Sequence, residues 1–162
     1  MSLRTFKFFA TPFSVGLCFF SLAKAQDADV IFNGTVADSC TVVADSAGTI
    51  AINTGNTVLS STEAGGAAGA ATITASTTTY EVTVDAPSTF TTAPAGSDTN
   101  TTFATTYDAS GATTASGVAG TTATTLGAGS TTLAVNASAT KSSGIYNSGT
   151  YSLTTTVRCT AQ

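Results

Sequence analysis

The chain has 162 residues, and the first 25 have the pattern of a secretory signal peptide: Arg4 and Lys7, an apolar run over 8–22, and a small-residue cleavage pattern at 23–25. Residues 26–162 carry two basic side chains against nine carboxylates, a net charge of −7. Nucleic acids and anionic membrane surfaces require basic patches, so this charge argues against both as partners. The apolar run is too short for a membrane span, and we expect none in the mature chain.

The composition of residues 26–162 allows two interpretations. Thr, Ala, Ser and Gly supply 88 of these 137 residues, and large apolar side chains are few. A threonine-rich disordered stalk would have this character, but such segments are usually rich in charge or proline. Here charge and proline are both rare, and Thr, Val and Tyr favour strands. The composition therefore favours an all-β domain with a small core.

Alternation of apolar and polar residues predicts about seven short strands. In chain order, the predicted strands are 28–36, 39–44, 49–53, 72–74 with 80–85, 102–108, one short strand within 109–129, then 131–139 and 151–159. Residues 60–70 are rich in glycine and read as a loop, and no helical spacing of apolar residues occurs after residue 25. Short strands separated by turn residues predict an immunoglobulin-like β-sandwich.

Residues that carry enzyme chemistry are scarce after residue 25. There is no histidine to act as a general base, no cluster with metal-ligand spacing, and no motif of an activated nucleophile. We therefore predict no catalytic residues, no metal site and no cofactor. The protein is expected not to be an enzyme.

Cys40 and Cys159 are the cysteines that remain after cleavage of the signal peptide. In an exported protein, two cysteines predict a disulfide bond, here between an early strand and the last one. By the chain-entropy estimate, closing so long a loop stabilises the folded state by about 5 kcal/mol. That is a large share of the stability of a domain with few large apolar side chains.

Two segments resemble chaperone–usher pilins of the archaic type, which are related to the spore coat protein U domain. Residues 30–36 (VIFNGTV) followed by 38–42 (DSCTV) resemble the N-terminal arm and first strand of that family, and residues 149–157 (GTYSLTTTV) resemble its final strand. The resemblance implies an immunoglobulin-like sandwich that lacks one strand and is completed by donor-strand exchange. Residues 26–37 would be the arm that enters a neighbouring subunit, and residues 38–162 would be the sandwich. The inserting side chains would be Val30, Phe32, Gly34 and Val36.

The resemblance also implies a function and partners. The chain would be exported through the periplasm and would form a pilus, or fimbria, at the cell surface, serving adhesion or biofilm formation. Its partners would be identical or related pilin subunits, a periplasmic chaperone and an outer-membrane usher.

Two alternatives remain open. Residues 28–36 could be the first strand of a self-complete, secreted sandwich that acts as a coat or binding module. The chain could also be a glycosylated, threonine-rich stalk.

Overall fold

The computed structural model describes residues 26–162, and the predicted signal peptide, residues 1–25, lies outside that part of the chain. Contacts divide the chain after Thr35. Residues 26–35 belong to the first unit and form no helix, strand or turn. The second unit, Val36–Gln162, contains ten strands, and all of their pairings are antiparallel. No helix within residues 26–162 has the length and apolar character needed to cross a membrane.

The all-β prediction is confirmed. The strands are β1 (Cys40–Ser46), β2 (Ala51–Ile52), β3 (Val58–Ser60), β4 (Gly69–Ala75), β5 (Tyr80–Asp85), β6 (Thr101–Gly111), β7 (Ala115–Ala119), β8 (Thr124–Thr125), β9 (Gly129–Lys141) and β10 (Thr156–Ala161). They form a sheet of seven strands and a sheet of three, an arrangement consistent with a β-sandwich.

The seven-stranded sheet is built on β9, its longest strand. β6 pairs with β9 along one side, while β4 and β3 pair with successive parts of its other side. β1 lies outside β4, β2 outside β3, and β7 outside β6. In the three-stranded sheet, β5 lies between β10 and β8.

The core lies between the inward faces of the two sheets. Ile73, Tyr107 and Leu133 from the large sheet and Val82 and Val84 from the small one have no exposed surface. These side chains alternate with polar residues along β4, β5, β6 and β9, which is the pattern of strands buried on one face. The fold therefore places its few large apolar side chains in one layer.

A second hydrophobic cluster, which is mostly aromatic, is separate from this core. The ring of Phe90 contacts the rings of Phe103, Tyr146 and Tyr151 edge to face, with centroids 5.0, 5.8 and 5.2 Å away. Leu59 packs in the same cluster. Edge-to-face contacts of this kind add to the stability that burial provides.

Gly120 connects the two sheets. Its N–H donates to the Thr105 carbonyl of β6 at 2.8 Å, and its carbonyl accepts from the Val84 N–H of β5 at 2.8 Å. A Cβ atom at this position would overlap the Thr105 side chain and the Val84 carbonyl oxygen. Only glycine therefore allows the backbone to approach both sheets here.

Three predicted elements differ from the structure. Residues 109–129 contain two strands, β7 and β8, where one was predicted, and residues 28–36 form no strand. The last strand begins at Thr156 instead of Tyr151. The neighbouring strand β5 ends at Asp85, close to Pro87, so residues 151–155 have no strand of the small sheet to pair with. Among these five residues, only Ser152 forms a bridge, and its partner is Thr92.

Candidate functional site

A disulfide bond joins Cys40, at the start of β1, to Cys159 in β10. The prediction from the cysteine count is therefore confirmed. The bond links the two sheets, because β1 belongs to the large sheet and β10 to the small one. Their Cα atoms are 6.4 Å apart, so β1 and β10 lie close together at this end.

β1 and β10 are both edge strands. Within residues 26–162, β1 pairs only with β4, and β10 pairs only with β5. Each strand therefore has one edge whose backbone N–H and carbonyl groups face no neighbouring strand in the described chain. Such edges can accept another strand through main-chain hydrogen bonds.

The inward face of β1 is uncovered. Directly opposed residues in an antiparallel pair point to the same side of the sheet. Val42 and Ala44 lie opposite Ile73 and Ala71, which are buried in the core, yet Val42 and Ala44 are themselves exposed. β1 thus presents apolar side chains toward the interior without a covering layer among the described residues.

A groove of about 500 Å³ lies where this cover is lacking. One wall, the β1 wall, is formed by Ala44 and residues 46–50, and the opposite wall, the β10 wall, by residues 151–155 and Val157. Small side chains form the floor, among them Gly69, Ala71 and Ala137. No charged side chain of the described residues lines the groove, so it suits an apolar occupant rather than an ionic one.

A second cavity of about 570 Å³ continues the groove away from the disulfide bond. We call it the mouth. Ile50 and Tyr151 line both cavities, and Leu59 and Tyr146 line the mouth alone. Burial raises the pKa of Tyr146 above its ordinary value, and its hydroxyl has no hydrogen-bond partner in the described part of the chain.

The arm, residues 26–37, presents its apolar side chains to solvent. Phe32 is 91% exposed and Ile31 is 78% exposed, and Val30 and Val36 are exposed to a similar degree. A Cβ atom added to Gly34 would meet no other atom within 4 Å. The four predicted inserting residues are therefore accessible, and all four share one face of the alternating arm sequence.

Sequence reasoning identified only part of the groove. The alternation of Tyr151, Leu153, Thr155 and Val157 was visible in the sequence, and these four residues all line the groove. The β1 wall beyond Ala44 and the floor were missed. Apart from Ile50 and Val135, they consist of Ala, Gly, Ser and Thr, which carry little periodic signal.

Compared with known proteins, the chain matches no family model and no curated protein sequence. Its function is therefore inferred from the groove, the mouth and the arm.

Proposed function

We propose that the protein is an immunoglobulin-like pilin subunit that assembles by donor-strand exchange into a surface pilus serving adhesion or biofilm formation. In this proposal, the arm of one copy occupies the groove of the next. The observation that carries the proposal is the presence, in one chain, of a groove between two edge strands and an exposed arm of alternating apolar residues. The groove lacks a strand between β1 and β10, and the arm lacks a partner that would cover its apolar side chains.

The backbone of an inserted arm would satisfy the edges of both walls. A strand placed between β1 and β10 would exchange main-chain hydrogen bonds with each, and its alternate side chains would cover the inward faces. Ala44, which is exposed in the isolated chain and lines the groove, would then be buried. Residues 30–36 would span about 20 Å as a strand.

The direction of the arm follows from the disulfide bond. The arm precedes Cys40 and so leaves its own sandwich at the disulfide-bonded end, whereas the groove opens at the mouth, away from that bond. An arm that enters a neighbour through the mouth runs antiparallel to β10. Such head-to-tail contacts do not close on themselves, and they generate a filament.

An open groove requires protection before assembly. Uncovered apolar faces beside edge strands favour aggregation. A periplasmic chaperone that occupies the groove during export, and an outer-membrane usher that exchanges it for the next arm, would provide this protection. We therefore propose both as partners, together with identical or related subunits, and we propose export through the periplasm to the cell surface.

The test compares two adjacent arm residues that lie on opposite faces of the arm. Phe32→Asp would place an unpaired charge in the neighbour's groove and should abolish oligomer ladders that resist denaturant, whereas Ile31→Asp, on the other face, should preserve them. Both variants would be expressed in the cells that export the protein, and the oligomers in surface extracts would be compared on denaturing gels without heating. Loss of Phe32 burial alone would remove roughly 1.5–3 kcal/mol per junction.

A wild-type protein that is monomeric in these extracts would contradict the proposal and favour the self-complete coat or binding module. Equal effects of the two substitutions would also contradict it, because insertion requires the two faces of the arm to differ.

A further inference from the structure

We infer that the Cys40–Cys159 disulfide bond is a stop that limits how far the arm enters the groove. The inference rests on the proposed function. The stop would fix a single register between the arm and the β10 wall, and it would do so by geometry rather than by side-chain chemistry.

The spacing of β-strands gives the reason for the stop. Neighbouring strands in a sheet lie about 4.8 Å apart, so a strand inserted between two others requires about 9.6 Å between them. The disulfide bond holds the Cα atoms of β1 and β10 at 6.4 Å, which leaves no room for a third backbone. In agreement, the groove is lined from Ala44 and Val157 onward, and neither cysteine nor Val42 is among its lining residues.

Six residues of the β10 wall line the groove, and four of them, at alternate positions, share one face: Tyr151, Leu153, Thr155 and Val157. The arm likewise has four inserting residues at alternate positions. In the deepest antiparallel register that the stop permits, Val30 lies beside the wall residue next to the bond. The full set of pairs is then Val30 with Val157, Phe32 with Thr155, Gly34 with Leu153, and Val36 with Tyr151.

The sizes of the paired side chains agree with this register. Phe32, the largest inserting residue, lies beside Thr155, the smallest of the four wall residues. Gly34, which has no side chain, lies beside the larger side chain of Leu153. A register two residues deeper would place Val30 beside Cys159, where the backbone has no room.

The test is a substitution that enlarges a single wall residue, the one paired with Phe32. Thr155→Leu should shorten the half-life of assembled oligomers in denaturant by about tenfold or more, because the added volume meets Phe32. Thr156→Leu is the matched control, since Thr156 is exposed, points away from Thr155 and is not among the residues that line the groove. It should leave the half-life unchanged.

Second substitutions in the arm identify the register. In a Phe32→Ala background, Thr155→Leu should not shorten the half-life of the oligomers any further. In a Val30→Ala background, it should shorten the half-life as much as in the otherwise unchanged protein. Relief by Val30→Ala would show a register two residues shallower and would overturn the inference. Tolerance of Thr155→Leu in the otherwise unchanged protein would show Gly34 at this level, a deeper register, and would overturn it too.

The stop itself is tested by removing both cysteines. In Cys40→Ser/Cys159→Ser oligomers the arm can slide deeper and bring Gly34 to Thr155, so the penalty of Thr155→Leu should largely disappear. A penalty that persists in full would show that the side chains alone set the register. If the double-serine protein does not fold, the arm substitutions above still decide the register. Failure of the proposed function looks different, because the parent protein would then form no ladders sensitive to Phe32→Asp.

Discussion

Removing the disulfide bond should destabilise the sandwich strongly. The bond joins residues 119 positions apart, and the loop-closure estimate for that length is about 5 kcal/mol. Single domains commonly have unfolding free energies of only 5–15 kcal/mol, and this core contains few large side chains. The expected loss is therefore a third or more of the total stability.

The measurement compares urea unfolding of two monomeric proteins by circular dichroism. Phe32→Asp serves as the background, because it should prevent assembly from contributing to the midpoint. Adding Cys40→Ser/Cys159→Ser should then lower the midpoint by roughly 2–5 M, since urea slopes for small domains are about 1–3 kcal/mol/M. The background protein treated with reductant is the control and should unfold at the same midpoint as the double-serine protein.

A decrease in unfolding free energy below about 1 kcal/mol would refute this account of the stability, because the bond would then constrain little of the unfolded chain. Two alkylatable thiols in exported, non-reduced protein, detected by mass spectrometry, would refute the bond itself.

Three further predictions concern single residues and are all checked by chemical unfolding. Tyr107→Phe should cost about 1–2 kcal/mol, because the buried hydroxyl donates to the Thr122 carbonyl at 2.9 Å and lies 2.7 Å from Thr124 Oγ1; an unchanged midpoint would contradict that network. Burial raises the pKa of Tyr146 above about 10, so ionisation favours the unfolded chain, and stability should fall as pH rises beyond 10. Tyr146→Phe should reduce this loss of stability above pH 10. If the two proteins lose stability equally with pH, the loss does not come from Tyr146. Gly120→Ala should cost ~3 kcal/mol through overlap with both sheets. Gly55→Ala should be neutral, because an added Cβ there would meet other atoms only at ordinary contact distances of 3.5 Å or more; similar losses at both sites would refute the close approach at Gly120.

The sequence predicted those strands that alternate large apolar with polar residues. Val82 and Val84 in β5, and Leu133 and Val135 in β9, are spaced by two and are buried as that spacing requires. Only one strand was predicted where β7 and β8 lie, because a segment made almost entirely of Ala, Gly, Ser and Thr shows no alternation of large apolar and polar residues. Their strand character comes from pairing with β6 and β5, which lie elsewhere in the chain.

The candidate site was predictable only in its chemistry. Cysteine count identified Cys40 and Cys159, and alternation identified the arm and the β10 wall. The width of the groove was not predictable, because it depends on which strands are neighbours. Residues 151–155 read as a strand in sequence, yet they remain outside the ladder because β5 ends at Asp85.

The covalent link between β1 and β10 also determines how a mechanical load passes through the molecule. Tension applied along the arm reaches the sandwich at Cys40. β1 alone is held by one ladder, to β4, and a pull on its first residue would peel that ladder pair by pair. Because Cys40 is bonded to Cys159, the same pull is shared with the ladder between β10 and β5. The two ladders must then yield together, and forced extension of this chain should begin at a higher force with the bond intact than after its reduction.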